Sequence, residues 1–480
     1  MKLILRLAIL GLLWPGVFLS VVDSEISAKE RAPAKYSSVK IDGIPHVLQK
    51  PDFCGEACAA MCLQKLGASV DQDFVYDQSG LQPALGRGCY TKELAVALKR
   101  IGFDLGPVWH QVPAKASSQP LEDQFAALHQ DLKRGHPSII CMHYAEEPRA
   151  SEHFRLIVGY DSQTDEVLYH EPAEEDGAYR RMSRQKLLTL WPLKYGPVEW
   201  TLIRMRLKLN GRPPIKAAEG ITNADYCQHI RALKERLPGD GFHIVIQRPF
   251  VVVGDETQKV VEQRATKTVK WAVDYLKKDY FDKDPQDILD IWLFKDETSY
   301  RDNVKALFNE RPTTPFGYFS SKHKALIMNI STGGGTLVHE IVHPFMAANF
   351  TRCPSWFNEG LASLYEQCGE EDGHIRGETN WRLKGLQSAI EKQQLSTFEE
   401  LCGTTTNQFY DDDKGTHYGQ ARYLCYYLQE QGLLRKYFQE FRRNSAADPT
   451  GFETLKKILN EQDMIDFQKR WEAYVLKLKF

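Results

Sequence analysis

Two groups of residues in this 480-residue chain have the types and spacing that chemistry needs. The first is His339-Glu340-Ile341-Val342-His343, an H-E-x-x-H run. On a helix, residues four apart share a face, so both imidazoles can reach one metal ion. Leu337, Val338, Ile341 and Val342 give that helix an apolar face to seat in a core, and Gly333-Gly334-Gly335 permits a tight turn into it. A catalytic zinc site needs a third protein ligand and an open position for water. Glu359, in Trp356-Phe357-Asn358-Glu359-Gly360-Leu361-Ala362, follows His343 by sixteen residues, enough for one turn and a second helix returning beside the first. Without that second segment the run reads as a helix carrying a solvated His–Glu pair.

The second group opens with Gln49-Lys50-Pro51-Asp52-Phe53-Cys54-Gly55-Glu56-Ala57-Cys58. A cysteine at a helix start gains from the dipole and the free amides, which favour thiolate. A glutamine just upstream can donate to an oxyanion beside it. Far downstream, His153 starts a buried strand, His153-Phe154-Arg155-Leu156-Ile157-Val158-Gly159-Tyr160, and Glu171 in Tyr169-His170-Glu171-Pro172 is a carboxylate able to orient it. Two other readings share these residues. Cys54, Cys58 and Cys62 recur every four residues and serve equally as small core side chains. The fold can also persist as a peptide-binding module without catalysis.

The segments Thr336–His343 and Pro354–Gly360 resemble the gluzincin metallopeptidases, particularly bacterial peptidase MA-like domains, over roughly Gly241 to Leu433. The resemblance implies Zn2+ held by His339, His343 and Glu359, with Glu340 as general base. The chemistry agrees: zinc lowers the pKa of bound water, and a carboxylate beside it takes the proton. Members of the group often place a tyrosine on a later helix as oxyanion donor, and His417-Tyr418-Gly419-Gln420-Ala421-Arg422-Tyr423 is similar to that segment, with Tyr418 favoured and His417 its rival. From about Val47 to Trp191 the order Gln, Cys, His, acid resembles papain-like cysteine peptidases of the bacteriocin-processing (double-glycine) kind. That resemblance implies Cys54 as nucleophile, His153 as base, Gln49 as oxyanion donor and Glu171 as orienter. Glu171 departs from the usual Asp or Asn by one methylene.

These groups need elements to hold them. Helices are expected at Glu56–Leu66 and Thr91–Ile101, and strands at Ser138–Met142, Phe154–Tyr160, Val167–His170 and Val198–Leu207. Asn210-Gly211-Arg212-Pro213-Pro214 interrupts regular pattern and reads as a linker. Beyond it come strands at Phe242–Gln247, Phe250–Val253, Ile288–Phe294 and Ala325–Ile330, and a long helix from Thr257 to about Tyr280. From Thr336 onward helices dominate. Ala325–Asn329 is expected to be the edge strand for an extended peptide, and Ser396/Glu399 and Thr450/Glu453 to be capping boxes. The whole reads as α+β in two domains, a papain-like cysteine peptidase fold at 35–208 and a gluzincin (zincin-like) metallopeptidase fold at 223–480, joined by a linker at 209–222. Each half is expected to fold alone.

Lys2 and Arg6 precede an apolar run from Leu7 to Val22, the order of an export signal or uncleaved anchor at 1–28. As a helix it would span about 24 Å, short of the ~30 Å hydrocarbon core. An extracytoplasmic location follows, with membrane contact only through that anchor, and ten cysteines there permit disulfides. No C-x-x-C pair occurs, which removes zinc-ribbon and thioredoxin readings. The net charge of −2 gives no support for a nucleic-acid partner. The substrate expected is a peptide or protein; a non-catalytic cell-envelope binding protein is the rival class.

Overall fold

A computed structural model describes residues 35–480 apart from 116, 148–149, 213–219, 313 and 412–415. The expected signal at 1–28 lies outside the described residues. Among those described, no helix is long and apolar enough to cross a membrane, and all ten cysteines are unpaired thiols.

The front half is built on one antiparallel sheet. Its strands are β1 (Val39–Lys40), β2 (Trp109–Pro113), β3 (Ser138–His143), β4 (Glu152–Asp161), β5 (Glu166–His170), β6 (Arg180–Ser183) and β7 (Glu199–Arg206), in the order β2-β7-β3-β4-β5-β6, with β1 on the end of β4. Period-two alternation, shifted by an irregularity between Ile157 and Gly159, gives β4 two buried faces. Phe154, Leu156 and Val158 join a core with α1 (Cys54–Lys65), while Ile157 and Tyr160 join a second core under the helix Ser118–Lys133. Leu156 pairs with His170, so Glu171 arrives opposite Arg155, one pleat from His153.

The helix α2 (Asn223–Arg236) follows the linker and starts with a Thr222–Asp225 capping box. Tyr226, Ile230 and Leu233 pack into the rear half, whereas Ala224 and Cys227 belong to the front core. The two cores therefore share α2, a feature that the expectation of two independent halves did not include.

The rear half holds β8 (His243–Gln247), β9 (Phe250–Gly254), β10 (Leu289–Phe294), β11 (Gly317–Ser320) and β12 (Ala325–Asn329), ordered β8-β9-β10-β12-β11. β9, β10 and β12 are parallel and wholly buried, which explains their unbroken apolar runs. The expected edge role of Ala325–Asn329 is corrected: β11 pairs antiparallel outside it and is the edge. The long helix runs from Gln258 to Asp279 with a π-helical stretch at Ala265–Lys270. Two capping expectations also change. The box is Thr397 with Glu400, one residue later than expected, and Gly451, in a left-handed conformation, caps Phe452–Leu459 in place of Thr450.

Helices α3 (Gly335–Asn349) and α4 (Ser355–Leu364) return beside each other across a short turn. Later come α5 (Thr406–Asp411) and α6 (Thr416–Glu430), the latter packed on α4.

Candidate functional site

The rear group is assembled by α3 and α4. One ligand atom from each of His339, His343 and Glu359 lies within 4.8 Å of the others. His339 Nε2 is 3.2 Å from Glu359 Oε2, and His343 Nε2 is 3.7 Å from Glu359 Oε1. Each imidazole turns its other nitrogen to an oxygen: His339 Nδ1 stands 3.4 Å from Glu366 Oε1, and His343 Nδ1 is 3.1 Å from Asn358 Oδ1. His343 Nδ1 is thus hydrogen-bonded, while His339 Nδ1 lies near Glu366 without a hydrogen bond; both Nε2 atoms face Glu359, and two imidazoles with one carboxylate suit zinc. Burial alone would drive the proton off His339, but Glu359 and Glu366 overcome it and hold that imidazole well above its usual range. Burial likewise opposes ionisation of Glu359, yet the two histidines and Tyr410 bring it down to about 2. The pocket thus favours a cation, whether proton or metal.

Sequence reasoning missed four of the supporting residues. Glu366 follows Glu359 by seven residues, just past the end of α4 at Leu364, so its position depends on the turn after the helix. Arg382 grips both its oxygens at 2.8 and 2.7 Å, and Asn380 Nδ2 donates to it at 3.0 Å. The close fit depends on Gly335, where a Cβ would lie 1.9 Å from the Glu366 carbonyl. Tyr410 donates its phenol to Glu359 Oε1 at 2.5 Å. Its signal was the Thr405-x-x-Gln408 capping box, which starts the short helix carrying it. Burial, then the Glu359 charge, push its phenol well up, so it remains a donor. Tyr418 lies 6.2 Å from the Tyr410 ring, with Arg382 over its own face at 4.9 Å. His417 stacks on Phe409 at 5.8 Å. Glu340 is buried beside His339 on α3, and its charge reaches both phenols.

The front group is drawn together by β4 and the turn after β5. His153 Nε2 meets Glu171 Oε1 at 2.5 Å, and Arg155 Nε donates to Glu171 Oε2 at 2.6 Å. Arg155 was missed, although two residues from His153 on a strand means the same face. All three are buried. Burial opposes the ionisation of Glu171, but the His153 bond and the Arg155 charge outweigh it and hold the carboxyl below its ordinary value. Gln49 is tied in through its amide, which donates to the carbonyl of Pro172 at 2.8 Å, and its side-chain oxygen is buried without a partner.

Cys54 opens α1 half-buried, with the amide of Phe154, the residue after His153, favouring its thiolate. No hydrogen bond joins it to His153 among the described residues. Burial dominates and pushes the thiol up to about 12, against the expectation that the helix start lowers it. Cys58 and Cys62 are buried core thiols, also raised by burial. His170 is buried with both ring nitrogens unpartnered; burial, and then the charge of His46, bring it down to about 4.

Residues 41–196 match the Peptidase_C39 like family. No curated protein matches the chain. Among solved structures, it is similar to the peptidase domain of Streptococcus ComA, a bi-functional ABC transporter involved in a quorum sensing pathway. That similarity has 15% identity and a TM-score of 0.23, and covers 35% of this chain and 100% of that one. The family match makes residues 41–196 similar to a C39-like peptidase domain, and that stretch is of mixed helix and sheet.

Proposed function

We propose that the chain is an extracytoplasmic peptidase with two separate centres, a thiol centre in the front half and a zinc centre of gluzincin type in the rear. The observation that supports the rear centre best is that each histidine's Nδ1 lies near an oxygen while both Nε2 atoms face Glu359. Zinc bound there supplies a polarised water and an electrophile for a peptide carbonyl. Glu340, buried beside His339, would be the general base and acid of that chemistry, holding a proton between the attacking water and the departing amine. Tyr410 or Tyr418 donates to the oxygen that gains charge. The edge strand β11 pairs with an extended substrate through its free backbone groups.

In the front half, the His153–Glu171–Arg155 chain inside the family match supports thiol catalysis. Glu171 fixes the imidazole through Nε2, which leaves Nδ1 to take the Cys54 proton, and Gln49 donates to the oxyanion. One observation favours a second reading of this half: the raised Cys54 thiol, unbonded to His153. Under it the front domain captures peptide and only the rear centre cleaves.

The test is hydrolysis of an unstructured protein substrate by the purified full chain, together with its zinc content. One zinc per chain is expected, with a chelator-sensitive activity lost in Glu340→Gln and an alkylator-sensitive one lost in Cys54→Ala. A Glu340→Gln/Cys54→Ala double variant as active as the wild type overturns the proposal. Loss confined to Glu340→Gln selects the second reading.

A further inference from the structure

The turn that carries the front site is gripped by a helix from beyond the linker. Gln228 Nε2 of α2 donates to the carbonyl of Pro51 at 3.0 Å, and the Arg231 guanidinium pairs with the Asp52 carboxylate. Gln228 and Arg231 stand three residues apart, on one face of α2. Pro51 and Asp52 form the tight turn between Gln49 and Cys54, closed by the Phe53 amide on the Lys50 carbonyl at 2.9 Å. Asp52 has φ of 64°, a left-handed conformation costly for most non-glycine residues. Its carbonyl is packed against Gly88, where a Cβ would lie 1.9 Å away. The neighbouring Arg87 carbonyl accepts from the Cys227 thiol, again from α2, at 3.3 Å.

The upstream end of this turn is anchored too, since the Gln49 amide is bonded to Pro172, next to Glu171. The spacing between the Gln49 side chain and the Cys54 sulfur is therefore set by the Pro51–Asp52 geometry. α2 supplies side-chain contacts to both residues of the turn, holding it in this geometry.

We infer that Arg231 and Gln228 are positioning residues for the thiol centre, holding the Pro51–Asp52 turn so that Gln49 and Cys54 keep their relative places. The rear half of the chain thereby controls the competence of the front site. Neither residue touches the reacting atoms. The inference rests on Cys54 being the nucleophile proposed above.

The experiment uses the full chain with its zinc centre silenced by Glu340→Gln. Cys54 labelling by iodoacetamide is followed by mass spectrometry, and kcat and KM are measured on an unstructured peptide. In this background Arg231→Ala with Gln228→Ala is expected to slow labelling and lower kcat by about tenfold with KM nearly unchanged, because misplacement of the reacting groups acts on the chemical step. Arg231→Lys restores most of the rate by keeping the charge. Asp52→Asn keeps a residue tolerant of the left-handed conformation, so it folds. It is expected to slow labelling as Arg231→Ala does, and the two together to be no slower than either alone, since both remove one ion pair. Unchanged labelling and kcat in the Arg231→Ala/Gln228→Ala protein overturns the inference, as do additive losses with Asp52→Asn. A different signature marks failure of the nucleophile reading itself: Cys54 of the parent protein then labels no faster than Cys58 and Cys62, and the inference falls with it.

Discussion

Replacing Tyr410 with Phe removes one hydroxyl and keeps the ring against Phe409 and Tyr418. The lost bond is the 2.5 Å donation to Glu359 Oε1. A hydrogen bond to a charged partner is worth about 1.5–3 kcal/mol net. Tyr410 is 43% exposed, so screening by water places this one at the lower end, about 1.5 kcal/mol or tenfold. If the phenol only steadies Glu359, that tenfold appears as weaker zinc binding, with kcat at saturating zinc preserved. If it also turns to the oxygen that gains charge, kcat falls by about 10²–10³ even when zinc is saturating. Zinc affinity by chelator competition and kcat on a peptide substrate separate the two. We expect about a hundredfold loss of kcat in Tyr410→Phe and less than about tenfold in Tyr418→Phe, whose ring lies under Arg382. The opposite order, or wild-type kcat in Tyr410→Phe, would refute the reasoning.

Glu366→Gln keeps the shape but weakens the hold on His339, so zinc affinity should fall by about 10–100-fold, read by chelator competition; unaltered affinity would mean that this carboxylate does not orient the ligand. Glu171→Gln should cut the alkylator-sensitive activity by about hundredfold or more and leave the chelator-sensitive activity intact, because the imidazole loses its anionic partner; equal losses in both activities would point to general unfolding. Glu56 gives a pH dependence. Burial raises its carboxyl to about 7 from 4.5, so its folded form holds the proton longer than the unfolded one. Its contribution is full below the unfolded value and is lost as pH rises through the folded one, a change of about 3 kcal/mol. Glu56→Gln, which cannot ionise, should gain that much relative to wild type between about pH 4 and pH 8 in urea unfolding of the front half; parallel pH profiles would contradict it.

The principal strands of the sheet centres were legible because burial on both faces leaves unbroken or alternating apolar runs, as at Phe250–Gly254 and β4. The edge was not: β11, Gly-Tyr-Phe-Ser, is four residues long and partly exposed, too short to show a period, so the apolar pattern points to its inner neighbour instead. That His339 and His343 would come together was legible because i, i+4 spacing on a helix is local chemistry, and the structure brings Glu359 beside them. Tyr410 was not, because its role depends on where α5 lies in space, and no sequence spacing fixes that. The Cys54 thiol shows the limit from the other side. A helix start favours thiolate locally, but enclosure by β4 and α1 is a tertiary effect, and here it prevails.

The helix α2 also bears on how such a protein could be taken apart. The expected linker at 209–222 suggests a place to cut, yet Ala224 and Cys227 fill one core while Tyr226, Ile230 and Leu233 fill the other. A front half cut before α2 leaves apolar sockets open, and a rear half cut after it does the same. Transplanting either half onto another protein therefore means copying α2 with both donors. The seam in the covalent chain and the seam in the packing differ by one helix, so these two halves are poor cassettes for recombination.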